Sequence, residues 1–600
     1  MNISKKSAVI TLAAMTLFYF FINLSLGFYS LNKSKKGIEN SDYNEFKNNI
    51  FLAKDSFHRF NLIFHISKPI FFLFENNQFI IKGKNIFFLA EDLSSAGASG
   101  VGALNEVNII SRKLINGEDF ESEKYTKNIQ TKLSSANKKI SQVEKDLESF
   151  DGKERWVGKY LTEIKENLPR LQSSLSQADS LVSITPRLLG SEGTRRYLLL
   201  FQNNMELRPT GGFIGSYGIL IFTKGKPIKI EIKDVYSADG QLRGHVDPPK
   251  IIKEYLGQAG WYLRDSNWDP DFPTSAERAE WFLNKETGEE VDGVVGLNLF
   301  AARKVLSVIG EIEIIDYEEN INSKNFFEKT QIHNEVGFFP GSTSKKDFLQ
   351  AVWTAISERL RKAPESDLVG LLAAMNQSLD EKDIQIWVHD KEVMAIVGQY
   401  GWDGGIKTLT CLTSNCLNDY LMANEANVGI NKANYFLDRQ IEMVTKIHPS
   451  GQVEKNLSFF YENKSPSELF PGGKYVGYLR LYLPEGSKMQ TCFISDVPCL
   501  IEKTNEHQKD VFGFTVRVPI GEKVKAEINW LLPGTFDGGN YRFYWQKQSG
   551  TKNDPVKISF YYPGRWQYVD KKEGPLTLKP PLIYNNFLSS DIALDMEFNP

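Results

Sequence analysis

Three polar stretches concentrate the residues able to do chemistry. The first is Asn203-Asn204-Met205-Glu206-Leu207-Arg208-Pro209-Thr210-Gly211-Gly212. The second is Lys233-Asp234-Val235-Tyr236-Ser237-Ala238-Asp239-Gly240, with Arg243 close behind. The third runs from Trp261 to Pro273 and packs Arg264, Asp265, Asn267, Asp269 and Asp271 together with two tryptophans. Arg208, Arg243 and Arg264 carry the planar fork that clamps phosphate or carboxylate through two hydrogen bonds. Asp234, Asp265 and Asp271, with Asp239 and Asp269, offer the oxygen ligands that suit Mg2+. Anion clamps beside a hard cation are the parts phosphoryl chemistry needs, because its catalysis is mostly positioning and charge neutralisation. The competing reading is architectural. Arg264 and Asp265 could simply staple loops, and Asp-Pro or Pro-Thr-Gly-Gly is ordinary turn chemistry.

Other chemistry is set aside by what the chain lacks. There is no GxGxxG, GxxxxGK[ST], HExxH or GxSxG. The 7 His are scattered, and His245 stands alone beside the polar stretches. With 71 basic and 74 acidic residues the net charge is −3, which gives no overall drive toward nucleic acid.

The elements that must position these residues alternate. Tyr197–Gln202 is a short apolar strand, and Gly215–Phe222 with Ile228–Val235 reads as two strands about Lys224-Gly225. Pro273–Lys285 is predicted helical, Val291–Leu299 a strand, Phe300–Ile309 a helix and Glu311–Tyr317 a strand. Strands alternating with helices imply an α/β sheet, whose ligands usually sit past the carboxyl ends of the strands. All three polar stretches fall at such ends.

At 600 residues the chain exceeds one core. The run Val9–Phe28 is almost wholly apolar and long enough for a transmembrane helix, so residues 1–32 are expected to be an anchor with a short cytoplasmic tail. The rest would then lie outside the membrane of a single-pass protein. Residues 33–190 read as a helical stalk, with Gly-rich turns near Gly97–Gly102. Ile129, Leu133, Ala136, Ile140, Val143, Leu147 and Phe150 form a heptad seam that resumes after Asp151-Gly152, which predicts a coiled-coil hairpin. Residues 191–430 would be the α/β core domain. Residues 431–600 hold six or more short strands and are expected to form an immunoglobulin-like β-sandwich. The fold class expected is therefore multidomain α+β. Cys411 and Cys416, like Cys492 and Cys499, sit close together, and two local bridges are the simplest pairing, with zinc or free thiols as alternatives. Bridges would imply an oxidising compartment.

Several segments carry a resemblance. QNNMELRPTGGFIGSYG, DVYSADG, LRDSNWDPDFPTSAE, VDGVVGLNL and DYLMANEANVGINKANYFLDRQI are similar to the bacterial membrane-anchored family called domain of unknown function 4012. That family has no established activity. More distantly, the order of elements resembles the LytR-CpsA-Psr cell-envelope family, extracytoplasmic enzymes that move glycopolymers from polyprenyl-pyrophosphate carriers. That likeness implies that Arg208 and Arg264 contact pyrophosphate, with Asp234 and Asn267 nearby. The acidic residue which that family places after its first strand is replaced here by Gln202-Asn203-Asn204. The function expected is an envelope protein that binds, or transfers, a polyprenyl-linked or other anionic glycan with Mg2+. The alternative is a non-enzymatic adhesion or envelope-assembly scaffold.

Overall fold

The computed structural model describes residues 5–66, 78–148, 150, 158–335, 344–411, 415–570, 574–576 and 579–600. The protein divides into two compact units. One comprises Met1–Thr194, Phe222–Ile228 and Ser357–Leu371; the other comprises Arg195–Ile221, Lys229–Ile356 and Leu372–Pro600.

Among the described residues the first unit is built on five long helices: α1 (Lys5–Glu39), α2 (Tyr43–Ile66), α3 (Gln78–Asn116), α4 (Ser122–Glu148) and α5 (Gly158–Leu188). The heptad seam of α4 is buried from Ile129 to Leu147. It meets Leu89 and Ala96 of α3 as well as Leu161 and Leu168 of α5, so three helices share it where a two-helix hairpin was expected. The Asp151-Gly152 turn lies outside the described residues. Pro169 sits inside α5 and does not end it. The glycines near Gly97–Gly102, expected in turns, are helical. At Gly97 a Cβ would come 2.7 Å from Ile50 of α2, so the residue is needed for close helix approach.

The transmembrane anchor is overturned. Among the described residues no helix is long and apolar enough to cross a membrane. The apolar run belongs to α1, which continues unbroken to Glu39. Along its second half Asn23, Gly27, Ser30, Ser34 and Gly37 are buried at steps of four and three. That is a packing stripe of small and polar residues, unlike the apolar cylinder that lipid requires. Phe20 lies 4.1 Å from Phe60 of α2 between ring centroids, and Phe28 lies 5.1 Å from Phe57.

In the second unit, β1 (Thr194–Asn203), β2 (Phe213–Thr223), β3 (Lys226–Asp234), β4 (Gly293–Asn298) and β7 (Ile384–Val388) form a sheet of order β3-β2-β1-β4-β7. Between β4 and β7 a small hairpin pairs β5 (Ile312–Ile314) with β6 (Glu319–Ile321). Strands β1 and β4 run parallel with Tyr197 opposite Gly293, while β7 is antiparallel to β4. Leu198 and Leu200 of β1 pack with Phe272, Ala276, Ala279 and Phe282, the apolar face of a helix over Phe272–Thr287.

The β-rich remainder is larger than an immunoglobulin domain. It packs a seven-stranded sheet against an eight-stranded one, beyond the seven to nine strands in total of that fold. Strand β8 (Cys416–Asn427) lies in the eight-stranded sheet, beside β11 (Tyr475–Pro484) and parallel to Gly539–Gln546. The sandwich therefore begins before residue 431. Strands β9 (Leu437–Ile447) and β10 (Val453–Asn463) lie in the seven-stranded sheet. One core takes Leu421, Leu479, Phe514 and Phe543 from one sheet and Met443, Leu457, Ile528 and Phe560 from the other. Leu479 is wholly buried there. Leu479→Ala should therefore cost about 2–5 kcal/mol, read as a lowered denaturant midpoint at unchanged slope.

Candidate functional site, a buried arginine and carboxylate cluster

Local geometry brings two of the three polar stretches onto Arg208. The chain leaves β1, makes a tight loop and enters β2. Gly211 has φ +139°, and a Cβ on Gly212 would lie 2.3 Å from the Asn203 carbonyl carbon, so only glycine lets the loop fold back this closely. At the end of β3, Asp234 caps a short helix (Val235–Asp239) by accepting from the Tyr236 N–H at 2.8 Å. A turn of 3-10 helix over Leu263–Trp268 then places Arg264, Asp265 and Asn267.

The two arginines end up spent. Arg208 is 2% exposed. Its Nη1 donates to the Asn427 carbonyl at 2.8 Å, its Nη2 to Glu206 Oε1 at 2.8 Å, and its Nε lies 3.6 Å from Asp265 Oδ1. Arg264 Nη1 donates to Asp239 Oδ2 at 2.7 Å and Nη2 to Gln258 Oε1 at 2.7 Å, while Nε lies 3.5 Å from Asp265 Oδ2. The same guanidinium stacks 4.4 Å above the Tyr262 ring. Asp265 thus sits between two guanidinium groups. Asn267, fully buried, donates to the Gly212 carbonyl at 2.8 Å. Arg243 is exposed and does not join the cluster.

The carboxylates respond to burial. Asp265 is pushed up by desolvation, against the pull of Arg208 and Arg264. Desolvation raises Asp239 to about 6, opposed by Arg264. Glu286, at the C-terminal end of the Phe272–Thr287 helix, is raised to about 8 by desolvation and then by the charge of Asp239. Its Oε1 accepts the Leu263 N–H at 3.1 Å. Burial thus favours the neutral forms of Asp239 and Glu286 beside the two arginines.

The expected metal ligands do not converge. Asp234 caps one helix, Asp265 is held between arginines, and Asp271 caps the Phe272–Thr287 helix while accepting the Ile406 N–H at 2.8 Å. Among the described residues no group of three or more His, Cys, Asp or Glu is placed to hold a metal ion. The cysteines form two bridges, Cys411–Cys416 and Cys492–Cys499.

What the cluster does is weld layers. Asn424 of β8 donates to the Pro209 carbonyl at 2.9 Å, and Gln548 donates to the Arg208 carbonyl at 3.2 Å. Arg480 of β11, over the Trp268 ring, donates to the Trp268 carbonyl at 2.9 Å. These bonds join the polar stretches to the sandwich within one unit.

A second feature was not anticipated from the sequence. A cleft of about 800 Å³ is walled by Phe300, Phe327 and Tyr435, with Arg303 stacked over the first two rings. On its floor Arg439 donates to Glu425 Oε1 at 2.8 Å and to Asp554 Oδ2 at 2.9 Å. Lys304 donates to Asp383 at 2.6 Å and Glu381 at 2.8 Å. Glu425 and Arg439 both lie in DYLMANEANVGINKANYFLDRQI, which carried the signal without its meaning. Glu286 gave no signal, since a glutamate near a helix end reads as solvated.

Residues 192–333 match the family described as "Protein of unknown function (DUF4012)", which bears out that resemblance. The matched family is not LytR-CpsA-Psr, and that more distant likeness rests on the sequence pattern alone. No curated protein matches the chain. Among solved structures, a Legionella pneumophila protein described as nutrient-binding is 10% identical, covering 27% of this chain and 67% of its own, at a TM-score of 0.20. Leukotriene A4 hydrolase of Saccharomyces cerevisiae is 5% identical, covering 27% of this chain and 29% of its own, at 0.18. An M1 zinc metallopeptidase from Deinococcus radiodurans is 10% identical, covering 27% of this chain and 42% of its own, at 0.15. The chain thus spans under half of either enzyme. Scores this low carry no argument about fold or activity.

The raised acid gives a pH test. Glu286 titrates at 4.5 when unfolded and about 8 when folded, so the native state holds the extra proton between those values. Its contribution is complete below 4.5 and is lost as pH rises through about 8. Glu286→Gln, neutral throughout, should flatten the fall in thermal stability across that window. An unchanged slope would remove Glu286 as its source.

Proposed function

We propose that the protein is a non-enzymatic, extracytoplasmic scaffold acting in envelope assembly or adhesion. One observation carries this reading: Arg208 and Arg264, the best anion clamps in the sequence, are engaged by carboxylates and carbonyls, the first buried and the second half-buried. Both terminal nitrogens of each guanidinium already donate inside the protein, and freeing either group would strand Asp265 and Asp239 in a dry interior. Two bridged cysteine pairs support an oxidising compartment.

A second reading, binding of an anionic envelope glycan without transfer, is favoured by the Arg303 cleft. Its volume lies within the range of about 300–1,000 Å³ usual for small-ligand sites. Exposed Arg303 is a cation that an anionic group could reach.

The test is binding of the full-length protein to a polyprenyl pyrophosphate, with and without Mg2+. The scaffold reading predicts no saturable binding in either condition. Saturable, Mg2+-dependent binding would contradict it. Arg303→Ala, at an exposed position, then reports whether the cleft is responsible: binding lost in this variant favours the second reading, and binding retained removes it.

A further inference from the structure

The centre of the sandwich holds a lysine and an aspartate with no access to water. Lys455 of β10 and Asp419 of β8 are each 0% exposed, and Nζ contacts Asp419 Oδ2. The two residues belong to opposite sheets, so this pair crosses the core between them. The surroundings are aromatic. Lys455 Nζ lies 4.2 Å from the Phe543 ring centroid and 5.9 Å from that of Phe560. Tyr541 donates its hydroxyl to the same Oδ2 at 2.6 Å. Asp419 Oδ1 is buried and makes no hydrogen bond to the described residues.

As a plain ion pair this arrangement is costly. Each ion loses several kcal/mol of hydration, and one carboxylate oxygen is left without a donor. Desolvation lowers the affinity of Lys455 for its proton, which favours the neutral amine. An amine held against a carboxylate in a dry cavity has the two conditions amide formation needs. The partners are already in place, and water that would reverse the reaction is excluded.

We propose that Lys455 and Asp419 condense to an intramolecular isopeptide bond that staples the two sheets. The ammonium passes one proton to Oδ2, and the freed lone pair on Nζ attacks Asp419 Cγ. The Cγ–Nζ bond forms, the Cγ–Oδ2 bond breaks, and Oδ2 departs as water with two of the three ammonium protons. The third stays on the amide nitrogen. No oxidant, metal or cofactor enters the balance. Tyr541, hydrogen-bonded to the departing oxygen, acts as the catalytic residue by polarising the leaving group. Oδ1 becomes the amide carbonyl oxygen. The product carries no charge, so both buried ions vanish from the core.

Mass spectrometry of the full-length protein, denatured and with both disulfides reduced, decides the matter. The expected mass is one water below that of the sequence. Trypsin should fail to cut after Lys455, and the peptides containing Asp419 and Lys455 should appear as one branched species. Asp419→Ala should restore the missing water and cleavage after Lys455. Wild-type protein at full sequence mass, with the two peptides separate, would overturn the proposal whether or not the variant folds. Tyr541→Phe should lower the linked fraction in freshly synthesised protein; an undiminished fraction would overturn the role given to the hydroxyl.

Discussion

A guanidinium taken out of water must have its charge matched and most of its N–H groups accepted, and Arg208 shows what that demand does to a chain. Its side chain reaches the Asn427 carbonyl on one side and Glu206 and Asp265 on the other. Asp265 then needs Arg264, Arg264 needs Asp239, and burial, helped by the charge of Asp239, pushes Glu286 toward its neutral form. The loop after β1, the end of β3 and the 3-10 turn are thereby fixed by a single electrostatic requirement. The sandwich is drawn in as well, because Asn427 ends β8 and Asn424 and Gln548 hold the backbone around Arg208. Replacing any member leaves a buried charge unmatched, which costs more than the pair itself contributes.

The same logic recurs inside the sandwich. Arg439 is enclosed by Glu425 and Asp554, with the Tyr461 and Tyr475 hydroxyls on Glu425. Lys455 meets Asp419 under Tyr541. Much of the polar chemistry of this protein is turned inward. It serves specificity of packing, since apolar contacts alone tolerate many arrangements and a buried ion tolerates few.

Much of the backbone was legible in advance. The apolar run at Tyr197–Gln202, the hairpin about Lys224-Gly225, and the α4 heptads all follow from periodicity that burial of one face imposes. So, with hindsight, did Lys455. In β10 the alternate residues Val453, Lys455, Leu457, Phe459 and Tyr461 are all buried, so a lysine occupies an inward position of a period-2 pattern. The membership of Cys416–Asn427 was not legible. Eight of its twelve residues are buried, because one side meets the sandwich core and the other meets the loop of Arg208, and alternation disappears. The transmembrane expectation failed for a related reason. Apolar content alone does not distinguish lipid from a neighbouring helix, and the stripe of Asn23, Gly27, Ser30 and Ser34 carried the answer. Arginine identity suggested anion binding, but the partner of an arginine is a property of the fold.

The central claim is that Arg208 and Asp265 act on each other and not on a ligand. A double-mutant cycle with Arg208→Ala, Asp265→Ala and the pair, read by denaturant unfolding of the full-length protein, tests it most directly. The account predicts that the double variant is less damaged than the sum of the singles, with an interaction energy of about 0.5–3 kcal/mol. Additive effects, with both singles as stable as the wild type, would contradict it and return Arg208 to the list of groups available for an anion.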